Sequence, residues 1–181
     1  MISSNIAKRY ARAFFEVAGG EGRHESCYDE LKRFSGVLEG NRNLKDLLSN
    51  PVFEIGDKKA VVGRVLQKLN LSPFTANFIN LLVDKQRIGI LREIEENYRK
   101  LMDNAMGIAR VQVKTAFPLS ADSSVDLKRA LESFTGKKVD MQVAEDASLL
   151  GGIVVSIGDK LYDGSIKMQL HNMIKLLGEE I

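Results

Sequence analysis

Apolar residues recur at three- and four-residue steps through the first hundred or so positions of this 181-residue chain, and beyond position 107 they begin to alternate. The first spacing marks helices that bury one stripe, the second half-buried strands. The change of period falls between Arg87 and Ala116. There Leu91, Ile94, Tyr98, Leu101, Met102 and Ala105 form one stripe, while Arg92, Glu93, Glu95, Glu96, Arg99 and Lys100 fill the opposite face. The pattern predicts a long helix over Arg87–Met106, with Gly107 placed to stop it as a left-handed residue. A strand over Ile108–Ala116 follows directly, with Val111, Val113 and Thr115 on one side and Arg110, Gln112 and Lys114 on the other. A domain boundary is placed here, dividing residues 1–105 from 106–181.

Five more helices precede that point. Ser3 or Ser4 can cap the first, whose Ala7, Tyr10, Ala11, Phe14 and Ala18 share a stripe, with Ile6, Ala13 and Val17 beside it and Gly19-Gly20 at its end. Tyr28, Leu31, Phe34 and Leu38 mark a second before Gly40. Leu44, Leu47 and Leu48 mark a short third stopped by Asn50-Pro51, because the residue before proline avoids helical backbone. Asp57 opens a fourth, carrying Val61, Val62, Val65, Leu66 and Leu69. Ser72-Pro73 opens a fifth, a cap followed by proline at the first helical position. It holds Phe74, Phe78, Leu81 and Leu82 on one side and Ile79 and Val83 on another. Six helices with short connections predict an up-and-down bundle. The first and fifth have more apolar face than a small bundle interior needs, which leaves a face for another chain.

Past the strand, Pro118 and Ser120 introduce a helix with Leu127, Ala130, Leu131 and Phe134, ended by Gly136. Val139, Met141 and Val143 alternate as a second strand, and 153–157 is a short, almost wholly apolar third. Gly158-Asp159 turns the chain into Lys160–Tyr162, and Asp163-Gly164-Ser165 caps a last helix with Ile166, Leu170, Met173, Ile174 and Leu177. The fold class is therefore α+β: a six-helix bundle followed by a small βαβββα domain, its helices on one side of the sheet.

Charge and chemistry narrow the function. The net charge of +2 divides into 17 basic and 14 acidic residues up to Ala105 and 9 and 10 afterwards, so neither half has the basic field of a nucleic-acid binder. Cys27 is the single cysteine, so it cannot form an internal disulfide, and it assembles no recognisable zinc site with His24 and His171; it reads as buried and inert. No apolar run approaches the roughly 20 residues of a membrane span, so no direct membrane insertion is expected. The basic start at Lys8, Arg9 and Arg12 imitates a targeting segment, but Glu16 interrupts it, and it is kept as part of the fold. Gly151, Gly152, Gly158 and Gly164 match neither phosphate-loop pattern and flank or follow a strand instead of opening a helix. They read as turn glycines, and Asp159 and Asp163, with Glu145 and Asp146, as turn acids. With no nucleophile-base pair, no metal cluster and no cofactor motif, the chain reads as a non-enzyme that takes a helix into a groove. The competing class is a small RNA-binding protein built on Lys128, Arg129, Lys137 and Lys138; it is short of stacking aromatics, with only Phe117, Phe134 and Tyr162 in the C-terminal half.

Two segments carry a resemblance. They are Ala7-Lys8-Arg9-Tyr10-Ala11-Arg12-Ala13-Phe14-Phe15, and the run from Asp146 through Leu149-Leu150-Gly151-Gly152-Ile153 to Gly158-Asp159-Lys160, closed by Tyr162-Asp163-Gly164-Ser165. Together they resemble the delta-subunit family of rotary F-type ATP synthases, whose mitochondrial counterpart is the oligomycin-sensitivity-conferral protein. The segment Asp84-Lys85-Gln86-Arg87 is similar too, except that the family often has a glycine at or near Gln86. The resemblance spans the chain. It implies a non-catalytic stator subunit on the cytoplasmic face of a bacterial membrane. The helical half would bind an amphipathic N-terminal segment of the alpha subunits of the catalytic head, the other half the b subunits of the peripheral stalk. By the same resemblance, the alpha segment would lie between helices one and five, on Tyr10, Ala11, Phe14, Ala18, Asn77, Phe78, Leu81 and Leu82.

Overall fold

The computed structural model describes residues 2–20 and 22–178, with side chains from residue 5 onward. Two compact units emerge, Met1–Met102 and Asp103–Ile181. The architecture is α+β, with a helical first unit and a second built on a four-stranded sheet.

The first unit contains α1 (Ile2–Gly19), α2 (His24–Gly40), α3 (Arg42–Ser49), α4 (Ile55–Leu69), α5 (Pro73–Asp84) and most of α6 (Leu91–Ala105). Its core follows the helical stripes: Ala7, Ala11, Phe14 and Ala18 from α1; Leu31, Phe34 and Leu38 from α2; Val62, Ile79, Leu82, Ile94 and Tyr98 from the others. Local chemistry sets several starts. Asn41 caps α3 by accepting the Leu44 N–H at 3.1 Å, and Ser72 caps α5 by accepting the Thr75 N–H at 3.3 Å, with Pro73 next in line. Ser3 and Ser4 fall within the first turn of α1, and their side chains, expected as caps, lie outside the described residues.

Two boundaries differ from the pattern. Helix α4 begins at Ile55, ahead of Asp57, which sits in the first turn where a carboxylate complements the helix dipole. Helix α6 does not begin at Arg87, because a 3-10 turn over Ile88–Ile90 comes first. Its cause lies upstream. Gln86 adopts a left-handed φ of 52°, and the Gln86 and Arg87 N–H groups donate back to Val83 O at 2.9 Å and Leu82 O at 2.7 Å, closing α5 before the chain can turn into α6. Position 86 is one that glycine occupies without steric cost, and this chain uses glutamine there.

The second unit arranges β1 (Ile108–Thr115), β2 (Lys138–Glu145), β3 (Ile153–Ile157) and β4 (Lys160–Asp163) in the order β2-β1-β3-β4. Strands β1 and β2 run parallel from Ile108↔Lys138 to Thr115↔Glu145, joined by α7 (Ala121–Thr135); β1–β3 and β3–β4 are antiparallel. Alternation along β1 buries Ala109, Val111, Val113 and Thr115. Leu127 and Leu131 of α7 pack on that side. Helix α8 (Ile166–Gly178) meets the 3-10 turn Ala147–Leu149 that follows β2. The last turn of α6, from Asp103 on, belongs to this unit and is held within it. Arg110 donates to both oxygens of Asp103, at 2.7 and 3.0 Å, and to Asp140 at 2.7 Å, while Lys137 reaches Asn104 at 2.9 Å.

Candidate functional site

Helices α1 and α5 meet through aromatic rings. Phe14 stacks on Phe78 at 4.1 Å and on Phe74 at 5.1 Å between centroids, with Tyr98 of α6 tilted against it at 5.5 Å. Burial, with the Cys27 thiol nearby, pushes the Tyr98 hydroxyl above its ordinary range, and that hydroxyl donates to His24 O at 3.3 Å. The sequence-chosen residues divide accordingly. Ala11, Phe14, Ala18, Phe78 and Leu82 belong to the bundle core; Phe14 is 4% exposed and Leu82 0%. They are not an open groove lining, because the same apolar stripe that suits a partner also satisfies the bundle's own interior. What faces outward along α1 and α5 is half-buried Tyr10, exposed Asn77, Leu81 at 43% and Val17 at 59%. Ile6, Tyr10, Ala13 and Val17 fall at helical spacing along this outer side of α1, with Asn77 and Leu81 along α5.

The wall formed by α5 is anchored from α2. Glu30 accepts the Ser72 N–H at 2.9 Å and the Ser72 hydroxyl at 2.6 Å. Burial pushes the Glu30 carboxyl up, but the hydroxyls of Ser72 and Thr75, the Ser72 N–H and the charge of Arg33 outweigh it and hold the group below the usual value of 4.5. A carboxyl depressed on folding stabilises the native state above the unfolded value, and that contribution is lost as pH falls through the folded one. Thermal melts taken from pH 7 down to pH 3 should therefore show wild type losing more stability below about pH 4.5 than Glu30→Gln does. Equal pH profiles for the two proteins would contradict this.

In the second unit the glycine-rich run shapes turns around the start of α8. Gly152 has φ 76°, and a Cβ there would collide with Gly164 O. Gly164 N–H donates to Ile153 O at 2.9 Å, and Ile166 N–H to Gly151 O at 3.0 Å, drawing the two stretches together. Asp163 accepts the Ser165 N–H at 2.9 Å, and Ser165 Oγ accepts the Met168 N–H at 3.1 Å. Gly158, at φ 60°, makes the β3–β4 turn beside Asp159. Gly152→Ala should destabilise this unit by about 1–3 kcal/mol, from steric conflict together with a left-handed backbone. An unchanged melting temperature would remove that role.

Beyond these turns, α8 stands nearly unsupported. None of its residues is buried; Ile174 is 69% exposed and Leu177 68%, with Leu170 and Met173 also open. This surface was missed among the candidate sites, although the stripe itself was legible. The missing signal was tertiary, since only packing shows that no neighbour covers it. Among the described residues no helix is long and apolar enough to cross a membrane. Phe134 and Tyr162 engage each other edge-on at 5.8 Å, and Phe117 stands exposed.

The comparisons decide the family. The profile described as "ATP synthase delta (OSCP) subunit" matches residues 6–177. The chain belongs to this family. An ATP synthase subunit delta from Syntrophus aciditrophicus is 56% identical over 181 residues, all of both chains, and one from Trichlorobacter lovleyi is 43% identical over 178 residues, 98% of each. A chain of the Toxoplasma gondii mitochondrial ATP synthase hexamer shares the fold, with a TM-score of 0.68 and 21% identity over 94% of this chain and 96% of that one. The match to the delta family runs through both units.

Proposed function

We propose that this delta-family protein is a non-catalytic stator connector of an F-type ATP synthase, holding the catalytic head to the peripheral stalk so that ion flow drives ATP synthesis. One observation carries the reading: each unit presents apolar helix surface that its own fold leaves open, along α1 and α5 in the first and along α8 in the second. Monomeric domains rarely leave such stripes uncovered unless a partner covers them. In the first unit the partner is an amphipathic N-terminal segment of an alpha subunit, laid across the outer faces of α1 and α5 over Tyr10, Val17, Asn77 and Leu81. In the second, b subunits of the stalk pack against α8. The protein would be peripheral on the cytoplasmic side of the bacterial membrane, held there by its partners.

The first contact is tested on exposed positions. Val17→Asp and Leu81→Asp should each weaken binding of the cognate alpha segment by about tenfold or more, since burying a large apolar side chain contributes roughly 1.5–3 kcal/mol. Circular dichroism should show the bundle unchanged. Unaltered affinity in both variants would place the segment elsewhere.

A further inference from the structure

Ser72 alone accounts for starting α5, because its hydroxyl accepts the Thr75 N–H. It does not account for where that start lies against the rest of the bundle. Glu30, 42 residues earlier, does this by accepting from one residue with both carboxylate oxygens: Oε1 accepts the Ser72 N–H and Oε2 the Ser72 hydroxyl. Hydrogen bonds to an ionised carboxylate are about twice as strong as neutral ones, and the negative charge sits at a helix N-terminus, where the backbone dipoles favour it. One turn further along α2, Arg33 donates to Leu69 O, the last residue of α4, at 3.4 Å. The same side of α2 thus grips both sides of the α4–α5 corner.

Two residues after Ser72 comes Phe74, and one turn later Phe78, the two rings that stack on Phe14. Those rings lie beneath the exposed side chains of α1 and α5. A shift in the first turn of α5 therefore moves the floor on which the outer face rests. We propose that Glu30 is the positioning residue of the α1/α5 docking surface: through Ser72 it fixes the depth and direction of α5 against α1. This rests on the reading of that surface as the alpha-segment site.

The test uses the full chain in four forms: wild type, Glu30→Ala, Glu30→Gln, and Leu38→Ala as a core truncation at the α2 end near Leu48 and Ile88, away from the α5 cap. Two readouts run in parallel. Calorimetry measures affinity for a synthetic peptide of the cognate alpha N-terminal segment, and aromatic NMR follows the Phe14, Phe74 and Phe78 ring signals without peptide. Glu30→Ala should bind about tenfold more weakly and displace the Phe74 signals. Glu30→Gln keeps an acceptor for the Ser72 N–H and should recover affinity to within about threefold of wild type. Leu38→Ala should melt earlier yet keep both affinity and ring signals.

The proposal is overturned if Glu30→Ala binds as wild type does with its ring signals in place. It is equally overturned if Leu38→Ala loses affinity in step with its melting temperature, since stability alone would then explain the effect. Should wild type fail to bind the peptide, the docking surface itself is refuted, and the ring signals still decide whether Glu30 positions α5.

Discussion

Membranes stripped of their native delta subunit should regain ion-driven ATP synthesis when the full chain is added back, and should regain none with residues 1–105 alone. The truncated form keeps all of α1 to α6, and with them the outer faces of α1 and α5, so it should still bind the catalytic head and leave ATP hydrolysis by the detached head intact. What it lacks is the surface of α8. A connector works by being held at both units: once one partner is bound, the second contact becomes intramolecular, and modest affinities combine into a lasting link. Removing one unit removes that gain entirely, which makes the expected loss of coupling close to complete. Side-by-side reconstitution with the two forms is the measurement. Full synthesis from residues 1–105 would mean that the second unit does not grip the stalk, and the connector mechanism would fall.

The architecture was legible because its signals are local. The spacing of Leu91, Ile94, Tyr98 and Met102, the cap at Ser72, and the alternation Val111, Val113, Thr115 each depend on residues within a turn or two of one another. The late start of α6 was less so: the 3-10 turn at Ile88–Ile90 follows from left-handed backbone at Gln86, which glutamine does not advertise as glycine would. The surfaces proposed for docking were legible only in part. Periodicity says that a helix face is apolar, but not which of two adjacent apolar stripes turns inward. In α1 the inward stripe took Ala11, Phe14 and Ala18, and Val17 was left outside. For Phe14 that choice was made by Phe74, Phe78 and Tyr98, residues 60 or more positions from it. Glu30 was invisible for the same reason, since its partner Ser72 is brought to it by the fold.

The correction changes how a mutation series must be designed. A charge at Phe14 or Phe78 would strike the core and unfold the bundle before reporting on any partner, because an unpaired buried charge is very costly. Substitutions confined to open positions separate binding from folding.

Helix α8 offers the cleanest case. Ile174 and Leu177 lie one turn apart on the same side and are both about two-thirds exposed, so their replacement takes almost nothing from the folded chain. In the assembled stator each would be buried against the stalk, where a large apolar side chain contributes roughly 1.5–3 kcal/mol. The double variant Ile174→Asp with Leu177→Asp gives up both contributions and introduces two carboxylates that resist desolvation, so affinity for purified b subunits should fall by about a hundredfold or more. The melting temperature should stay within a degree or two of wild type, and binding to the catalytic head should not change, since the surface proposed for the alpha segment lies in the other unit. Those three measurements together are specific. Loss of head binding would point to general damage, and stalk binding at wild-type strength would show that the open face of α8 belongs to some other contact, leaving the grip on the stalk to be sought on the sheet.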